Sequence, residues 1–512
     1  MPPPSSRSHL SVFCLLLFVA TLFLDTRYHQ FPYFYHPDEG VKVEQLRTSE
    51  WNYHHPMLLL STTKLVMNLV GVAPGEQRIV EAGRWVSASF TALAVVALAL
   101  LAFAWRGWGA AIATGLALLL HHQLFELSHY LKEDTALLFG VAATFLVVFL
   151  FARRPTPGLA AALGAAVAGA ISGKYIGLAV LIVVLPVLWR APVEGRARRW
   201  GAFLAALVVA LLLINLPLFL HPGAFAQSFH REMDLVVHGQ QDTTRRVPHS
   251  LYLNIFRDNT TPVIWILLVV FLVARWRERR TLSLVEWLLI AFPFAFTLAL
   301  SFSPKSNDRY YLPATAMFTL FAGIGVWDLG RLLGGQFSSY WVSITAIGAL
   351  LVSQAITLPP PADWRTLTQY IKAFQTDDNR DFLEFVRTQL SSTAVIVKDT
   401  RVLLPDPENW RDASRFEPLP QKIIARKYAA DLGSMDELRK MGVTHIAISE
   451  SDYGGFLVKS VHPKKGEGAD FERRKAFYGE LLRDGNPLFQ RERTIVLYLH
   501  PGIRLYPVPP AG

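Results

Sequence analysis

Long apolar runs, joined by short loops that carry arginine and almost no acid, dominate this chain and leave few folds open to it. A helix of about 20 apolar residues is long enough to cross a bilayer, and in lipid only helices and closed barrels satisfy their own backbone groups. Runs of this length select helices. Eleven candidate spans can be read, at about 9–25, 82–104, 108–124, 134–152, 157–172, 175–190, 200–220, 261–275, 284–302, 311–327 and 340–358. Several fall short of about 20 residues, so their ends must extend into the flanks. Residues 56–72 are apolar but interrupted by Lys64 and Asn68, and read as an interfacial or re-entrant helix. The first run follows Arg7, but no small-x-small cleavage site comes after it, so it reads as a retained helix and not a signal peptide.

Composition agrees. Of 512 residues, 52% are hydrophobic and only 18% are charged, against roughly 25% charged in an ordinary soluble chain. The net charge of +10 raises the question of nucleic acid. Many of the arginines lie in short loops between apolar runs, where topology calls for them, so no nucleic-acid partner is expected. The single cysteine, Cys14, excludes a disulfide within the chain.

Loop charges then orient the spans. With the N-terminus inside, the inner loops hold Arg106, Arg153-Arg154, Arg190 to Arg199, Arg275 to Arg280, and Arg331, which satisfies the positive-inside rule at every turn. Four polar segments fall outside: 26–80, 121–134, 221–260 and 303–310, the last with Lys305, Asp308 and Arg309. Lys174 falls at the outer turn between the fifth and sixth spans. An odd number of spans puts the C-terminal region outside as well. This predicts a polytopic α-helical membrane domain over 1–358 and a small extracytoplasmic α/β domain over 359–512, with Pro359-Pro360-Pro361 at the boundary. In the second domain, helices are expected at 379–390, 435–441 and 471–483. Strands are expected at 394–398 and 444–449, with a hairpin pairing 494–499 and 503–508.

The residues with chemical potential cluster on the outer side. His36-Pro37-Asp38-Glu39-Gly40 reads as a rigid turn near the bilayer surface, where Asp38 or Glu39 can act as a general base. Glu133-Asp134 follows Tyr130 and Lys132 at the entrance to the fourth span, where acids also suit a helix N-terminus. Lys174 lies between two apolar runs and is either snorkelling or a phosphate ligand. Arg309, in Asp308-Arg309-Tyr310-Tyr311-Leu312-Pro313, can bind phosphate through two parallel hydrogen bonds. Eleven of the fifteen histidines lie in outer segments. No metal-ligand spacing is present among them, so no metal or other cofactor is called for.

Taken in order, these motifs resemble the GT-C superfamily of membrane glycosyltransferases. The similarity is to the bacterial branch related to protein O-mannosyltransferases and the lipid A aminoarabinose transferase (glycosyltransferase family 39-like). It rests on HPDEG, Arg84-Trp85-Val86-Ser87, HYLKED, Gly173-Lys174-Tyr175, Asn215-Leu216-Pro217 and DRYYLP, all within residues 1–330, and on the closing GIRLYPV. The resemblance implies a cell-membrane enzyme that moves a sugar, with inversion, from a polyprenyl-phosphate donor to a lipid, glycan or protein acceptor. It implies Asp38 as the base, supported by Glu39 and Asp134. It places the donor phosphate at Lys174, Arg309 and Arg84, and the substrate near His36, Tyr130, Glu133 and Tyr310. Glu133 flanks the second acid, so either Glu133 or Asp134 can fill that role. The rival readings are a transporter, which would call for inverted repeats and midplane charges that the sequence lacks, and a lipid-linked glycan polymerase or oligosaccharyltransferase-like protein.

Overall fold

The computed structural model describes residues 4–238, 257, 259–302, 307–333, 339–356, 365–405, 418–458, 461, 463 and 466–509. Lys305 and Pro359-Pro360-Pro361 lie outside the described residues. The chain divides into two compact units, one of Met1–Gly239 and Val247–Thr368, the other containing Gln369–Gly512.

The first unit is helical. Its opening half runs α1 (Pro4–Asp25), α2 (Pro37–Thr48), α3 (Leu58–Val70), α4 (Glu76–Arg106), α5 (Trp108–Leu119), α6 (His122–Ser128), α7 (Asp134–Arg153) and α8 (Pro157–Gly173). Among the described residues, six helices are long and apolar enough to cross a membrane, or seven if the bent pair α5–α6 counts as one span. Eleven were expected. Helices such as α8, Tyr175–Arg190 and Tyr340–Ala355 are apolar but under 18 residues long. The expected span at 108–124 is interrupted, with α5 and α6 meeting at 55°. His121 causes the break: its ring nitrogen accepts the Gln123 N–H at 3.2 Å and caps a new helix.

The motif HPDEG is not the turn that its composition suggests. His36 caps α2, its Nδ1 accepting the Asp38 N–H at 3.2 Å, and Pro37 takes the first helical position. Asp38 and Glu39 fill the first turn, where the helix dipole favours acids. Helix rules outweigh turn propensity here because the cap, the proline and the acids all agree.

Small residues let α7, α8 and the helix Arg196–Ile214 touch backbone to backbone. A Cβ on Gly140 would lie 2.3 Å from the Ala170 nitrogen, one on Gly173 2.5 Å from the Leu137 nitrogen, and one on Gly164 2.2 Å from the Phe203 oxygen. Such contacts are how helices pack where lipid removes the hydrophobic drive between them. This approach sets the start of α7, with Asp134, beside the end of α8, with Lys174. Asn215 locks the same corner: its Oδ1 accepts the Met57 N–H at 3.0 Å, and its Nδ2 donates to Ser172 Oγ at 2.6 Å.

The second unit holds a five-stranded sheet of β1 (Val395–Lys398), β2 (Lys422–Ala425), β3 (His445–Ser449), β4 (Phe489–Gln490) and β5 (Ile503–Pro507), in the order β2-β1-β3-β5-β4. β1 runs parallel to both β2 and β3, while β5 runs antiparallel to β3 and β4. Helices occupy Asp378–Gln389, Met435–Lys440 and Gly468–Asp484. The expected hairpin of 494–499 with 503–508 does not form. The Leu499 and His500 N–H groups donate to the Val496 carbonyl, folding that segment into a turn. His500 holds it there, with Nδ1 2.8 Å from Asp378 Oδ2 and Nε2 2.7 Å from the Ala373 carbonyl.

Gly140→Ala separates the two forces acting on this packing. In an isolated helix the change stabilises by roughly 1 kcal/mol. Here the new methyl meets backbone, so the substitution should instead destabilise by about 1–3 kcal/mol, seen as a lowered Tm in detergent.

Candidate active site

Four carboxylates and five cations from five separate segments meet in the first unit. Arg84, on α4, lies at the centre of their framework. Its Nε and Nη2 donate to the two oxygens of Glu39 at 2.9 and 2.6 Å. Its Nη1 donates to the His29 and Phe31 carbonyls, both at 2.5 Å, and its guanidinium lies 3.6 Å from the Phe31 ring centre. Glu39 Oε1 also accepts the Leu131 N–H at 2.9 Å. Both side chains are fully buried. Every nitrogen of Arg84 donates to protein, so its guanidinium ties α4 to Glu39 and to the loop carbonyls of His29 and Phe31. Glu39 likewise ties α2 to α4 and to the loop before α7.

Asp38, its neighbour, points the other way. It keeps 43% of its side-chain surface, whereas Glu39, Glu133 and Asp134 keep 2% or less. Its Oδ2 lies 2.5 Å from Lys132 Nζ and 3.7 Å from Arg309 Nη1. Partial burial alone would raise the Asp38 carboxyl, but Lys132, with Lys42, holds it well below the usual carboxylate range. Lys132 is only 3% exposed. Burial first, and the Arg309 charge second, pull its ammonium down to about 8.

The second acidic pair is split between two cations. Glu133 Oε1 lies 2.8 Å from Lys42 Nζ, and Asp134 Oδ1 accepts a hydrogen bond from Lys174 Nζ. Burial would raise the Glu133 carboxyl, yet Lys42 and its neighbours hold it well below the ordinary range. The other oxygens, Glu133 Oε2 and Asp134 Oδ2, are buried without a hydrogen-bond partner. Such acceptors are costly unless a donor reaches them. Tyr310 joins the two ends of the site, with Lys174 Nζ 4.8 Å and the Arg309 guanidinium 5.7 Å from its ring centre. His36, the cap of α2, packs against Tyr130 at 4.7 Å between ring centres and is buried. Burial, then the Lys132 charge, pushes its imidazole well below the usual histidine value, so it stays neutral.

Asp38, Glu133, Asp134, Lys174, Arg309 and Tyr310 are therefore brought together, while Glu39, Arg84, His36 and Tyr130 form their support. Sequence reasoning named Lys132 only beside the second acidic pair, without its pairing to Asp38, and missed Lys42. Lys42 stands four residues after Asp38, a spacing that puts both on one helix face, but the signal vanishes when HPDEG is read as a turn. Among the described residues, no group of three or more His, Cys, Asp or Glu is placed to hold a metal ion.

Arg84→Met leaves the Glu39 charge buried and unpaired, which should cost about 3–5 kcal/mol in unfolding measurements. Adding Glu39→Gln should recover a large part of that loss, a coupling that a double-mutant cycle reads directly.

Comparison with known proteins finds similarity in sequence and in fold. Residues 76–231 match the family model described as dolichyl-phosphate-mannose-protein mannosyltransferase. The structure is similar to ArnT from Cupriavidus metallidurans bound to undecaprenyl phosphate, at TM-score 0.52 and 14% identity, covering 99% of this chain and 98% of that one. It is also similar to apo ArnT from the same organism, at TM-score 0.50 and 16% identity, covering 88% and 95%. No curated protein matches the sequence. The family match spans Arg84, Lys132, Glu133, Asp134, Lys174 and Asn215, and the chain as a whole shares its fold with ArnT.

Proposed function

We propose that this protein transfers a sugar from a polyprenyl-phosphate carrier to an acceptor hydroxyl, with inversion, on the extracytoplasmic side of the cell membrane. The observation that carries the reading is the charge around Asp38. Five cations (Lys42, Arg84, Lys132, Lys174, Arg309) face four carboxylates, leaving one positive charge over, and Asp38 is the carboxylate open to a substrate. A lipid phosphodiester carries one negative charge. The fold shared with an ArnT structure bound to undecaprenyl phosphate supports a donor of that class, and the loop charges favour the outer face for the site and for residues 359–512.

In a single displacement the acceptor oxygen bonds to the anomeric carbon as the bond from that carbon to the phosphate oxygen breaks. Asp38 takes the hydroxyl proton, and the lipid phosphate leaves with the electron pair. Arg309, with Lys174 converging on the same tyrosine, stabilises that phosphate. Asp38 is a weak base while Lys132 and Arg309 hold it. A phosphate arriving between those cations competes for them, and Asp38 becomes more basic when the donor is in place. The unpartnered oxygens of Glu133 and Asp134 are suited to accept hydrogen bonds from sugar or acceptor hydroxyls.

Purified protein supplied with a polyprenyl-phosphate sugar, or with nucleotide sugars, across an acceptor panel tests the reading. Transfer is expected only from the lipid donor, and Asp38→Asn should lower turnover by at least about 100-fold while donor binding persists. Transfer from nucleotide sugars alone would overturn it. At low donor concentration the rate should also fall as pH rises past about 8, because Lys132 is charged below that value and neutral above it. Its neutralisation removes the surplus positive charge that draws an anionic donor. In Lys132→Arg the cation no longer titrates in this range, so the alkaline fall should disappear. An unchanged fall would assign it to another group.

A further inference from the structure

The other end of the bundle holds an ionic cluster that sugar transfer does not use. α4 carries Arg84 near its start and Arg106 at its end, about 33 Å further along at 1.5 Å per residue. There Arg106 Nη2 donates to Glu278 Oε2 at 2.5 Å, Arg275 Nη1 lies 3.0 Å from the same oxygen, and Arg331 Nη1 lies 3.4 Å from Oε1. Arg275 Nη2 donates to Asp328 Oδ1 at 2.6 Å. With the exposed Arg277, four arginines face two carboxylates. Arg275 is almost fully buried, yet its Nε has no hydrogen-bond partner. A buried guanidinium donor left open calls for an acceptor.

Beside it runs a groove of about 420 Å³ between the helices Pro262–Arg277 and Leu284–Ser301. Leu272 and Ile290 form part of its apolar wall, and Trp276, Trp287, Arg275 and Arg277 also line it. Both tryptophans are exposed, in the pairing of indole and arginine that marks a membrane–water interface. The groove is thus apolar along its wall, with Arg275 and Arg277 among the residues that line it. A soluble anion would leave the apolar wall unused, and a zwitterionic lipid would bring its own cation to those arginines. We propose that this groove is a binding site for an anionic glycerophospholipid, with its phosphodiester at Arg275 and Arg277 and an acyl chain along Leu272 and Ile290. The site is independent of the transfer reaction, and its occupant would hold the two helices together.

Tryptophan quenching by bromine on the acyl chains tests this on the full-length, detergent-purified protein. Brominated phosphatidylglycerol should quench more than brominated phosphatidylcholine at matched low concentrations, and the excess should saturate. It should be lost in Trp276→Phe/Trp287→Phe. Arg277→Gln, at an exposed position, should raise the half-saturating concentration severalfold with the circular dichroism unchanged. Equal quenching by the two lipids would overturn the site, and so would an excess that survives the double tryptophan substitution.

Discussion

The buried pair of Arg84 and Glu39 holds the candidate site together. A charge removed from water is costly, and the cost is offset only when a partner and further hydrogen bonds satisfy it. Here the arginine bonds both carboxylate oxygens and two loop carbonyls, and the carboxylate also takes the Leu131 N–H. One ion pair thereby fixes three things: the angle at which α2 leaves the membrane domain, the path of the loop before α7, and the direction in which Asp38 points. Adjacent acids in one helical turn diverge, so burying Glu39 turns Asp38 outward. The division of labour between the two acids follows from which of them found the arginine.

The remaining charges form a graded array around that frame. Lys132 and Lys42 lie deep and pair with Asp38 and Glu133, and Lys174 is bound to Asp134. Arg309 is more open, at 20% exposure and a longer distance from Asp38. An incoming anion meets the most loosely held cation first. That gradient leaves Arg309 the most accessible cation of the array. The glycine contacts of α7 with α8 serve the same array, since the Asp134–Lys174 pair requires two helix ends to approach more closely than side chains allow.

Much of this was legible in the sequence, and the reasons differ from element to element. The apolar runs and arginine loops gave a helical membrane chain because lipid permits little else. Acids and cations at span entrances stood out because charge there is costly and seldom idle. The break at His121 and the helical start at HPDEG were harder to see, because each depends on a capping hydrogen bond whose partner a local pattern does not reveal. The hairpin expected after residue 494 failed for a similar reason: alternation and a Pro-Gly turn argued for it, but the bond of His500 to Asp378, over a hundred residues away, bent the segment out of strand geometry.

Sequence alone therefore settled the solvent of this chain, the class of its fold and the pool of residues from which a site could be built, since those rest on composition and periodicity. Tertiary structure decided which members of that pool meet. It took Arg84 and Glu39 for the frame, left Asp38 open, and added Lys132 from the loop before α7 and Lys42, whose spacing from Asp38 meant nothing until α2 was known to be a helix. Pairing is a property of distances in space, and charges that lie about ninety residues apart in the chain, such as Asp38 and Lys132, carry no local sign of their partner.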